Sequence, residues 1–138
     1  MAVIFVIGIP TQYVQAEEQS YIVDESYEVQ PVTTLLDCEV IMSFSADGLY
    51  MEFTTGCTNI ASVIGVKDIK VQQKMWYGWK TVGTSTGTKK TNCTIAVVGV
   101  TYPDAVKDGT YRVISTHYAD YDGYEEVVND TGAFKFTY

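Results

Sequence analysis

Apolar and polar positions alternate most cleanly over residues 69–82, IKVQQKMWYGWKTV, with Ile69, Val71, Gln73 and Met75 on one side of a period-two pattern and Lys70, Gln72, Lys74 and Trp76 on the other. A half-buried strand reads this way. Gly tolerates the positive φ of a two-residue hairpin turn, so a turn is predicted at Tyr77-Gly78 and a neighbouring strand over residues 79–82.

The same alternation recurs upstream. Leu36, Cys38, Val40, Met42 and Phe44 alternate against Asp37, Glu39, Ile41, Ser43 and Ser45, and Asp47-Gly48 then signals a hairpin. Met51, Phe53, Thr55 and Cys57 carry the inward pattern of the return strand, before a small-residue connection over 58–66. Downstream, GTSTGTKKT (83–91) reads as a polar loop and the β-branched run 92–102 as a central strand ended by Pro103-Asp104. Asp108-Gly109 introduces a strand with Tyr111, Val113, Ser115 and His117 on one face and Arg112, Ile114, Thr116 and Tyr118 on the other. Residues 120–123 make the last turn, and 124–138 return with Phe134, Phe136 and Tyr138 on one side and a break near Gly132. Six to seven short strands without a helical period predict an all-β fold, an antiparallel immunoglobulin-like β-sandwich, with a closed barrel as the alternative.

The amino-terminal quarter departs from this pattern. Residues 1–16 hold an apolar run and end in Val14-Gln15-Ala16, a small-residue pattern that predicts a signal peptide cleaved after Ala16. The run is too short to span a bilayer as a helix, which takes about 20 apolar residues. Residues 17–32, with five carboxylates and no cation, read as an acidic linker, leaving 33–138 as the folded domain. The expected location is secreted or cell-envelope associated.

Net charge narrows the partners. At −8 and a pI near 4.4 the chain should be repelled by nucleic acid and by anionic membrane surfaces. If Asp47-Gly48 is the turn, counting outward sets Phe44 opposite Met51, Val40 opposite Thr55 and Cys38 opposite Cys57, so an oxidised Cys38–Cys57 disulfide is expected, with Cys93 left as a buried odd thiol.

Two segments, QQKMWYGWKTV and VKDGTYRV, resemble small exported β-sandwich domains of Gram-positive bacteria, in which a Gln-Lys pair turns into a Trp-containing strand and a Gly-Thr-Tyr-Arg-Val segment opens a later one. The matching positions are Gln73, Lys74, Trp79, Val82, Gly109, Thr110, Tyr111, Arg112 and Val113. The resemblance implies a sandwich fold over roughly 38–138 and carries no activity with it.

Candidate chemistry is sparse. The single histidine, His117, could form a base with Asp120 or Asp122, but its inward position suits a hydrogen-bonded structural residue better. Asp120, Asp122, Glu125 and Glu126 gather carboxylates at a turn without the further ligands that a calcium loop supplies, and no Cys or His spacing suits zinc. No cofactor or metal is expected. Aromatic residues are the stronger signal: a Tyr77-Gly78 turn makes Trp76 and Trp79 a cross-strand pair, which Tyr118, Tyr121 and Tyr124 could extend into a ligand-binding platform. A shifted register would instead turn Trp79 into the core, the favoured position for it, leaving Trp76 on the surface. The expectation is an exported, non-catalytic binding or adhesion module for an extracellular glycan, peptide or protein. A small secreted hydrolase using His117, or a secreted inhibitor or toxin-like factor, is the competing reading.

Overall fold

The structure, a computed structural model, describes residues 35–138 together with the backbone of Phe5–Ile7 and Gln19–Ile22. Those two short segments are strands β1 and β2; the remaining expectations for the leader and the acidic linker fall outside the described residues. Seven strands follow: β3 (Leu35–Ser45), β4 (Gly48–Met75), β5 (Gly78–Ser85), β6 (Thr88–Tyr102), β7 (Thr110–Asp120), β8 (Tyr124–Asp130) and β9 (Phe134–Lys135). All pairings are antiparallel, and the whole forms one sheet curled into a half-barrel.

The organising element is β4, which changes partners along its length. Its first part, residues 49–56, lies between β3 and β6; residues 63–66 lie between β6 and β7; residues 70–73 lie between β5 and β7. The segment 58–66, expected as a connection, is therefore strand. Thr58, Asn59 and Ile60 are exposed at a break in register, after which Ala61 pairs with Cys93 and the β-branched Val63, Ile64 and Val66 fit the ladder. The expected loop 83–91 likewise narrows to Thr86-Gly87, because its threonines complete β5 and open β6 along β4.

Curling brings the two ends of β4 face to face over one core. Val40, Met42 and Phe44 of β3, Leu49, Met51 and Phe53 of β4, and Val98 and Val100 of β6 pack against Ile69 and Val71 of β4, Tyr111 and Val113 of β7, and Phe134 and Phe136. A second cluster gathers Leu35, Cys38, Cys57, Ala61, Ile64, Ala96, Ala119 and Val127, with the half-exposed Cys93 against it. The inward faces expected for β3, β4 and β7 are the observed ones, apart from Leu36. A register shift between Leu35 and Asp37 turns Leu36 outward, 55% exposed, and buries Leu35 instead.

Both tight hairpins turn one residue earlier than their sequences suggest. The first turns at Ala46-Asp47, with Ser45 opposite Gly48; the second turns at Trp76-Tyr77, with Met75 opposite Gly78. Each glycine follows its turn and opens the returning strand, at φ +121° for Gly48 and +129° for Gly78. The cross-strand register thus moves by two, which preserves every face while changing every partner. Cys38 lies opposite Thr55 rather than Cys57, and Cys57 lies opposite Leu35. The three cysteines are free thiols, so the expected Cys38–Cys57 bridge is replaced by two unlinked members of the second cluster.

Candidate functional site

The outer face of β4, β5, β7 and β8 carries a concentration of cationic and aromatic side chains. Directly opposed residues in an antiparallel sheet share a face. Lys74 and Trp79, Gln72 and Thr81, Gln72 and Arg112, and Lys70 and Ile114 are such pairs, and all lie on the side away from Val71 and Val113.

At one end of this face Trp79 is half-buried between two cations. The Arg112 guanidinium lies 4.5 Å from the ring centroid and Lys74 Nζ 5.3 Å, both within cation–π range. Arg112 Nε also donates to Gln72 Oε1 at 2.7 Å, and Gln72 Nε2 donates to Thr81 Oγ1 at 3.1 Å, which fixes the guanidinium plane against the sheet. Trp79 is therefore not a core residue, and it faces Lys74 rather than Trp76. The cause is the earlier turn, which lifts Trp76 out of the ladder to the hairpin tip.

There Trp76 is 95% exposed and Tyr77 57%, the two rings meeting edge to face at 5.2 Å. Among the described residues the next strand, β5, pairs with β4 alone.

At the other end of the same face Tyr118 and Tyr124 stack at 5.8 Å, and Lys67 Nζ sits 5.3 Å from each ring. Lys67 donates to the Tyr124 hydroxyl at 2.8 Å, Tyr124 donates to Glu126 Oε2 at 2.8 Å, and Lys67 lies 3.2 Å from the same carboxylate. The Tyr124 hydrogen bond first, and Glu126 second, raise the Lys67 pKa and keep the ammonium charged; the same hydroxyl followed by Lys67 lowers that of Glu126. Tyr121 is exposed in the turn beyond this cluster, and Asp120 pairs with Tyr124 around a three-residue loop. The six aromatics expected as one platform thus form two groups. Trp76, Tyr77 and Trp79 lie at one end, Tyr118, Tyr121 and Tyr124 at the other, and the six-residue rise from Arg112 to Tyr118 along β7 is about 20 Å.

His117 lies inside, fully buried. Thr55 Oγ1 donates to the Gly65 carbonyl at 3.0 Å, so its remaining role toward His117 Nδ1, 2.7 Å away, is to accept. That assigns the proton to Nδ1 and leaves Nε2 to accept from Ser115 Oγ at 3.1 Å. Burial pushes the imidazole pKa down to about 4, against a smaller opposing effect of the Thr54 backbone, so the ring is neutral at pH 7. Neither Asp120 nor Asp122 is among its hydrogen-bond partners, and its own partners are two hydroxyls sealed in the core. Among the described residues no group of three or more His, Cys, Asp or Glu side chains is placed to hold a metal ion, and no helix is long and apolar enough to cross a membrane.

Sequence reasoning found the aromatics but missed the cations that frame them. The available signal was charge spacing: from Ile69 to Pro103 there are five lysines and not one carboxylate, in a chain with seventeen acidic residues. Comparison with protein-family models, with curated proteins and with solved structures returned no match.

Proposed function

We propose that this chain is an exported, non-catalytic binding module of the cell envelope that engages its ligand through the β4–β5 hairpin and the adjoining outer face. The observation that carries the reading is Trp76. It stands 95% exposed at a hairpin tip, beside Tyr77 and within three residues of Trp79, so three aromatics crowd one corner to which the core makes no claim. Large exposed rings at one corner are what ligand platforms are made of, because an indole or phenol offers a flat apolar face with a polar edge. The sandwich of immunoglobulin-like type belongs to the same reading, supported by the larger core held between the two halves of the curled sheet, and the likeness to exported Gram-positive domains rests on the residue pattern of the two segments alone.

The catalytic alternative has less to stand on, since the one histidine is occupied by Ser115 and Thr55 away from solvent. A glycan and peptide array with the wild-type chain and Trp76→Ala tests the proposal. The wild type should bind at least one class of probe, and the variant should lose binding while melting within about 0.5 kcal/mol of wild type, as exposed substitutions do. Binding unaffected by Trp76→Ala would remove the hairpin from the site.

A further inference from the structure

We infer that the ligand of this face is an acidic polysaccharide, its carboxylates met by Lys70, Lys74 and Arg112 and its sugar faces by the Trp76 and Tyr77 rings; the inference rests on the binding-module reading above. The first support is charge segregation. A chain of net charge −8 confines its carboxylates so that the stretch from Ile69 to Pro103, which builds the end of β4, all of β5 and all of β6, carries lysines alone. Lys70 and Lys74 project from that stretch onto the outer face, where Arg112 of β7 joins them.

The second support is the setting of Arg112. Its plane is held by the Trp79 ring and by Gln72, so little side-chain entropy remains to be lost when a ligand binds. Asp130 is its ion-pair partner, but at 3.8 Å from Nη1 that contact is longer than a hydrogen bond and is partly exposed. A guanidinium fork fixed in this way matches a carboxylate, which can take two parallel N–H donors. Glu126, a further carboxylate of the face, is already engaged by Lys67 and Tyr124 at the far end.

Ring chemistry selects among polyanions. Trp76 and Tyr77 present free aromatic faces beside the cations, which suit a chain of pyranose rings bearing carboxylates. Nucleic acid packs its phosphates so densely that the acidic remainder of the protein would oppose it. A peptide added to the open edge of β5 would be held through main-chain hydrogen bonds, without need of the cations.

Affinity electrophoresis of the full chain in gels containing polygalacturonate, its fully methyl-esterified form, or polyphosphate tests the inference. Polygalacturonate should retard the protein, with Kd rising about tenfold or more between about 20 and about 300 mM NaCl, since exposed charge pairs are screened over that range. Lys74→Gln and Arg112→Gln should each weaken binding about threefold or more at low salt, with melting temperatures held near wild type, while Lys135→Gln on β9 leaves binding unchanged. Equal retention by the methyl ester would show recognition of neutral sugars, overturning the inference while the binding-module reading stands. Equal retention by polyphosphate would reduce the face to plain charge attraction and overturn it as well. No retention by any of the three overturns it too, and silence on the glycan and peptide array in addition would remove the reading beneath it.

Discussion

Phe44 and Phe134 stack with ring centroids 5.6 Å apart and planes 13° from parallel, so β3 and β9, the last strand of the fold, meet in the middle of the core. Phe136 and Tyr111 close around the same point. Phe44→Ala should therefore cost about 3 to 5 kcal/mol of stability, the range for emptying a buried aromatic site, whereas Trp76→Ala should cost under about 0.5 kcal/mol. Urea titrations of both variants compare the two values directly, and similar losses would contradict the burial of one ring and the exposure of the other.

Acid should weaken the fold through His117. Its folded pKa, about 4, lies below the ordinary value of 6.5, so the unfolded chain takes up the proton first. Stability from the neutral ring is complete above pH 6.5 and is lost as pH falls toward 4, by about 3 kcal/mol over the window. His117→Gln should flatten this part of the profile while lowering stability at pH 7. The measurement is the difference between wild-type and variant unfolding free energies from pH 7.5 down to 4.5; parallel curves would contradict a proton-excluding site.

The two hairpin glycines should differ in what they tolerate. Both hold positive φ, so an L side chain costs about 1 to 2 kcal/mol at either. At Gly78 a Cβ would meet nothing within 4 Å, but at Gly48 it would run into the Tyr102 carbonyl and the Pro103 backbone. Gly78→Ala should show the conformational cost alone, and Gly48→Ala should exceed it by at least about 1 kcal/mol. Thermal melts of the two variants decide this.

Thiol chemistry should follow the observed register. With Cys38 opposite Thr55, peptide mapping of unreduced protein should return Cys38, Cys57 and Cys93 as thiols, and alkylation of the native protein should reach the half-exposed Cys93 first and Cys38 last. A Cys38–Cys57 linkage recovered by mapping would mean that β3 and β4 pair two residues away from the register described.

Alternation along Val40, Met42 and Phe44, and along Tyr111, Val113, Ser115 and His117, was enough to orient those strands, because a period of two has one buried phase. Partner choice was not legible in the same way. A slip of two leaves the phase intact, so the register depended on whether Gly48 and Gly78 sit within their turns or just after them, and either position satisfies a glycine's freedom at positive φ. The cost of that ambiguity fell on Cys38 and Cys57, whose neighbours changed although their faces did not, and on Trp79, favoured for the core and found on the outer face opposite Lys74. The continuity of β4 was hidden for a different reason: exposed Thr58, Asn59 and Ile60 interrupt the pattern as a connection would, and only pairing with β6 and β7 shows the strand resuming.

The partner changes along β4 also govern how the chain can fold. Its first part is paired by β3 and β6, but the second is completed by β7, and Gln73 pairs with Tyr111 across both intervening strands of the chain. The pairings with β6 and β7 are not local, so loop closure is opposed by chain entropy before the core repays it, a circumstance that favours slow, all-or-none acquisition of structure. A chain cut after Tyr102 would retain β4 whole and yet leave its latter half with an open ladder on the β7 side. Neither end of that strand is a module in its own right: the bend that lets one strand serve two halves of the sheet also ties their fates together.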